Sequence, residues 1–169
     1  MFGLFKPKMA PNGPVEVDMD IEIERPAAEV YAMVDFGDPR NHKAAVGTIT
    51  RTGSNTFDME LDMLPDLTFP ITEIEAEPGR IYTIESVLPE ALGARLYKTV
   101  ERTEIEPLGD DRCKVSSKVT ATFHPMKLEE YDHEVAVIAA GCHNALAKLK
   151  VHAEQGVEVI REIEIVQSA

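Results

Sequence analysis

In the run Ala94–Glu106, Arg95, Tyr97, Thr99, Glu101 and Thr103 stand two apart, so in an extended strand they share one face. In the run Arg80–Leu88, Arg80, Tyr82, Ile84 and Ser86 share a face in the same way. If those faces point into the interior, the phenols of Tyr82 and Tyr97 would orient a ligand carbonyl, and a buried Glu101 with a raised pKa would act as general acid or base. The opposite phase stays open: Leu96 and Val100 would then be core, and Tyr97 and Glu101 would face water. His42 and His124 fall at element ends near the mouth of such an interior, where an imidazole transfers protons or is simply solvated.

Other chemistries find less support. A zinc pair on a helix needs His at i and i+4, whereas His133, His143 and His152 are ten and nine residues apart and fall on different sides. Glu129 and His133 have the spacing but read as a surface ion pair. The row Asp58, Glu60, Asp62 suits either a hard cation or a wet sheet face, and the wet face is the simpler reading. There is no glycine-rich phosphate loop, no GxSxG elbow and no paired-cysteine motif. No metal and no cofactor are expected.

The chain has 169 residues, enough for one domain with a core that needs no staples. Seventeen basic against thirty acidic residues give a net charge of −13, which repels nucleic acid, and no basic patch offsets it. The two cysteines, Cys113 and Cys142, sit in apolar phases and read as buried thiols of a reducing compartment. No apolar run is long enough to span a membrane, and no signal peptide is evident, so a cytoplasmic location is expected.

The elements that would position these residues follow from periodicity. Residues 1–14, with Phe2, Leu4 and Phe5 beside Lys6 and Lys8, read as a flexible segment that would at most touch a membrane surface or partner. Val15–Glu24 alternates apolar and acidic residues without a fault and predicts a strand. Pro26 opens a short helix through Val34, and a second short helix is predicted over Pro39–Val46. Six further strands follow, near Thr48–Thr52, Thr56–Met63, Leu67–Glu75, Arg80–Leu88, Ala94–Glu106 and Arg112–His124; connections this short require antiparallel neighbours. Lys127–Glu154 repeats apolar residues at steps of three and four and predicts one long helix ending at Gly156. The tail 157–169 alternates Val157, Val159, Ile163 and Ile165 with glutamates and reads as an eighth strand on a sheet edge, its own or a partner's, or as a frayed end; a homodimer arm is among its roles.

This order, with VEVDMDIEIERPAAEVYAMVDFGDPRNHKAAV at one end and KLEEYDHEVAVIAAGCHNALAKLKVHAE at the other, resembles the START / Bet v 1-like (SRPBCC) superfamily, in particular its polyketide cyclase/dehydrase and lipid-transport group. The resemblance covers about Val15–Gly156. It implies an α+β helix-grip fold: a seven-stranded antiparallel curved sheet wrapped around the long C-terminal helix, with two short helices between the first two strands. Members often place a Trp near Arg40–His42, whereas this chain has none. The resemblance further implies a cavity for a hydrophobic small molecule between sheet and helix. Phe57, Met59, Met63 and Phe69 would be its sheet wall, Tyr131, Ile138 and Cys142 its helix wall, and Tyr82 and Tyr97 its polar contacts. A binding protein, a cyclase or dehydratase working through Tyr97, Glu101, His42 or His124, and an interaction module with a filled core are the three functions to be told apart.

Overall fold

The computed structural model describes residues 6–169, of Ser168 the backbone only. Strand β1 (Val15–Ile23) leads into helix α1 (Ala27–Val34), followed by β2 (Gly47–Arg51), β3 (Thr56–Leu61), β4 (Leu64–Glu77), β5 (Ile81–Val87), β6 (Leu96–Pro107) and β7 (Cys113–Phe123). Then come α2 (Leu128–Gln155) and α3 (Val157–Ser168). The seven strands form one antiparallel sheet in the order β1-β7-β6-β5-β4-β3-β2, so β1 joins the last strand of a meander. Irregular registers at Glu60/Leu61, Glu73/Glu75 and Leu96/Lys98 bend it, as bulges do. Pro70 is tolerated within β4 because the pairing with β5 begins only at Ile71.

Alternation along β1 and β7 sends Val17, Ile23, Cys113, Val115 and Val119 inward, and all are buried. Full burial of such a side chain contributes about 1.5–3 kcal/mol. The main core gathers Ile23, Val30, Phe57, Ile71, Ile105, Val115, Leu146 and their neighbours beneath the second half of α2. A smaller cluster of Val17, Val119 and Cys142 lies under its middle.

Helix α2 is 28 residues long, about 42 Å at 1.5 Å per residue. Its first turn is well supplied with partners. The Leu128 N–H donates to the Lys8 carbonyl, and the Lys127 N–H donates to Glu130, whose carboxyl is held below its ordinary value by that bond and by Arg95. Lys8–Ala10, expected in a flexible segment, is therefore tied to Met126–Leu128 by two backbone bonds. Met1–Phe5, where the apolar tip was placed, lie outside the described residues.

Two expectations are corrected. The second short helix does not form: residues 38–46 run through successive turns. Here Asp35, Asp38 and Asn41 each accept a backbone N–H two residues ahead, the local bonding that competes with helix, and Pro39 removes a donor. The tail is not a strand but helix α3. Gly156, at φ +95°, ends α2 and lets the chain turn, and Val157, Ile160 and Glu164 then fall at helical spacing against the body of the fold. Helix formation satisfies the tail's backbone internally, with no free sheet edge needed.

Candidate functional site

The concave face of the sheet and the underside of α2 enclose the candidate site. Register decides which polar residues enter it. Val17, Val119, Glu101, Ile84 and Glu73 are successive partners across five strands and so point the same way as the buried valines. The inward phase of Glu101 is thereby settled: its carboxylate accepts from Ser117 Oγ at 3.0 Å, and its charge reaches the buried Cys142 thiol, which desolvation first and Glu101 second push up to about 11. Glu73, which sequence reasoning did not single out, is a second inward carboxylate.

Tyr82 is inward and buried, but its hydroxyl is already engaged. It accepts from the Phe36 N–H at 3.0 Å and donates to Glu73 Oε2 at 3.0 Å. Burial, foremost, raises its pKa strongly, and Tyr31, packed edge-on against it at 6.0 Å, is pushed up to about 12 by burial and by Asp35 and Glu73. Tyr82 thus fastens α1 to β4 and β5; its one proton is not free for a ligand. Tyr97, the second residue of β6, lies at the irregular register and stacks on His124 at 4.8 Å, an exposed ring at the sheet's end. These two are together, and apart from the Tyr82 cluster.

The proposed walls divide. Phe57, Met59 and Phe69 are buried in the main core, Cys142 in the smaller cluster, with Ile138 packed on the latter and half-buried. Tyr131 is half-buried and lines a depression of about 270 Å³ with Met9–Gly13 and His124. Met63 leaves the set. Strand β3 ends at Leu61, the alternation stops, and Met63 lies 41% exposed in a turn, on a groove shared with Arg161 and Ile165 of α3.

The turns of residues 35–46 bring in a group with no signal in the periodicity. Asn41 is fully buried, donates to the Asp35 carbonyl and accepts the Lys43 N–H, and this presents His42 and Lys43 to the interior. Both are heavily desolvated, although part of their surface stays accessible, as expected of side chains lining an internal space. Desolvation, aided by Lys43, His152 and Lys148, sets His42 well below its ordinary value of 6.5. Desolvation likewise lowers Lys43, opposed by Glu101 and Glu164. Lys148 of α2 pairs with Glu164 of α3 beside them, while His152 Nδ1 and Glu164 Oε2 are buried with no hydrogen-bond partner.

A pH dependence follows. Native His42 is neutral, whereas the unfolded chain protonates it near 6.5. Below that value the unfolded state binds the extra proton, so stability falls as pH drops, by up to about 1.4 kcal/mol per pH unit. His152, shifted the same way, steepens the fall. Chemical denaturation of wild type and His42→Gln between pH 7 and 5 should show a shallower slope in the variant; parallel lines would refute the assignment.

Among the described residues no cluster of three or more His, Cys, Asp or Glu is arranged around a metal position, and no helix is long and apolar enough to cross a membrane.

No family model matches the chain, and no curated protein matches it. Solved structures do. Norcoclaurine synthase from Thalictrum flavum, in complex with dopamine and hydroxybenzaldehyde, is 13% identical, with 92% of this chain and 89% of that one covered and a TM-score of 0.57. Ara h 8.0201 is 15% identical over 91% and 99% of the two chains, TM-score 0.59. The Aha1 dimer from Colwellia psychrerythraea is 16% identical over 84% and 98%, TM-score 0.59. At such identities the likeness is one of architecture, and it agrees with the strand order and the gripped helix described above: this chain shares with these proteins the helix-grip fold.

Proposed function

We propose that the protein binds a hydrophobic small molecule, of the lipid, quinone, polyketide or aromatic classes, between the sheet and α2. One observation carries this reading. Apolar side chains that lie against the core, such as Met19, Ile21, Leu67, Ile84, Leu88 and Ile138, are only partly covered by protein. Apolar side chains that border a core and keep part of their surface accessible are what a ligand of that kind would cover. The norcoclaurine synthase structure holds small aromatic molecules, which fits the same ligand class. Native mass spectrometry of the purified protein, beside its denatured mass, tests the reading. An excess mass lost on denaturation is expected, and its value narrows the class. A bare chain that also fails to retain added apolar probes would overturn it.

A second reading, a cyclase or dehydratase, is favoured by the inward Glu101 carboxylate, which accepts from Ser117 Oγ and whose charge acts on the Lys43 ammonium. Such a pair supplies a base and an acid, and positioned proton transfer contributes typically about 10²–10⁴ in rate. Glu101→Gln should then lower turnover by that order and remove the acidic limb of the pH-rate profile. Full activity in the variant on an accepted substrate would eliminate this role.

A further inference from the structure

The depression bounded by Met9–Gly13, the end of β7 and the start of α2 differs from four other surface hollows in its charge. None of its lining residues is Asp, Glu, Lys or Arg, although 28% of the chain is charged. The hollows beside Arg51, Arg80, Arg102 and Arg161 are each lined by both acids and bases. The polar side chains of this one are Asn12, Thr122, His124 and Tyr131. Among the described residues none of the four makes a side-chain hydrogen bond or ion pair, whereas the Tyr82 hydroxyl and the Asn41 amide are spent on protein partners. Thr122 and Tyr131 are half-buried, so water reaches them only in part. The rings of Phe123, His124 and Tyr131 add aromatic wall, with Tyr97 stacked on His124 at 4.8 Å. Backbone bonds fix the walls: Ala10 N–H donates to the Met126 carbonyl at 3.0 Å, Leu128 N–H to Lys8 at 2.8 Å and His124 N–H to Arg95 at 2.9 Å. None of the lining residues belongs to either core cluster.

We propose that this depression is a second ligand site, separate from the space between sheet and α2, and that it takes an uncharged planar ring with hydrogen-bonding groups on its edge. Its volume of about 270 Å³ falls below the range of about 300–1,000 Å³ that holds drug-sized ligands, so it suits one ring rather than several. A charged ligand would give up hydration here and meet no opposite charge. A neutral ring gives up little. Its faces pack on the aromatic wall, and its edge meets an amide, two hydroxyls and an imidazole, which together both donate and accept. A phenolic ring and a free pyrimidine base present this same chemistry.

Amide NMR titrations of the full chain near neutral pH, with resorcinol and separately with uracil, test this. The expected result is saturable shifts at Ala10, Asn12, Gly13, Phe123, His124 and Tyr131 with at least one of the rings, and the tighter of the two identifies the source. Tyr131→Phe keeps the ring and removes one hydrogen-bonding group, so it should weaken binding about two- to tenfold, the range for one neutral hydrogen bond. Asn12→Ala, at an exposed position, should do the same without disturbing the fold. Unmoved amides along β1 and β7 show that each variant is folded. Affinity unchanged in both variants would overturn the proposal, as would no shift with either ring up to its solubility. Saturable shifts at Ile84, Leu88 and Ile138 instead would assign the ring to the space between sheet and α2, which removes the second site and leaves the first standing. Benzoate or glucose binding as tightly as the rings would refute the requirement for a neutral planar ligand.

Discussion

Truncating Phe57 to alanine should lower the unfolding free energy by about 3–5 kcal/mol, the range for removing a large aromatic side chain from a core. Phe57 is 2% exposed, and its ring meets Phe36 at 5.9 Å and carries the Arg51 guanidinium at 4.5 Å on its face. Within the sheet it pairs with Arg51 on one side and Ile71 on the other, so the backbone cannot move in to fill the space. Met59 can only partly do so, flexible as it is. The midpoint of a urea titration should therefore fall with little change in slope. Met63→Ala is the control: at 41% exposure in a turn it should stay within about 0.5 kcal/mol of wild type. If the two substitutions cost the same, Phe57 and Met63 belong to one wall, and the division of the sheet residues drawn above is wrong. A cavity opened at Phe57 should also change ligand choice, so a bulkier apolar probe should raise the melting temperature of Phe57→Ala more than that of wild type.

What the sequence revealed and what it concealed divide along a physical line. Strict alternation in Val15–Glu24 and period-3.6 repetition in Lys127–Glu154 report burial on one face, and short connections allow only antiparallel pairing, so the sheet, its strand number and the gripped helix were all legible. The inward phase of Glu101 was one of two choices because Leu96–Glu106 carries polar residues in both phases; the pairing with Val119 and Ile84 decides it. Glu73 could have been found, since it continues the phase of Leu67, Phe69 and Ile71. Lys43 could not. It sits in a loop of side-chain-bonded turns, where no periodicity relates position in sequence to direction in space. The tail misled for a related reason: Val157, Val159, Ile163 and Ile165 alternate as in a strand, but Val157, Ile160 and Ile163 also lie at helical steps, and no strand edge was needed once Gly156 allowed the turn. Met63 failed because alternation was extended two residues beyond the bulge at Leu61.

Lys148→Ala should detach α3 before it unfolds the rest. The Lys148 and Glu164 side chains are 18% and 14% exposed, so removing the ammonium leaves a nearly buried carboxylate, one of whose oxygens already lacks a partner. Leaving a buried charge unpaired costs about 3–5 kcal/mol. Against that, α3 is held chiefly by Ile160, 4% exposed, whose burial contributes about 1.5–3 kcal/mol, and by the bond from Arg161 Nε to the Ala45 carbonyl. The penalty exceeds the restraint, so Glu164 is rehydrated by undocking. Hydrogen exchange in Val157–Ser168 should rise to that of an open helix, while β7 and the second half of α2 keep most of their protection. Lys148→Met with Glu164→Leu removes both charges and keeps the volume, so α3 should stay docked with stability equal to wild type or higher. Unchanged exchange in α3 of Lys148→Ala would mean that the helix is held by more than Ile160 and Arg161, and the cost would then appear as a global loss of about 3–5 kcal/mol.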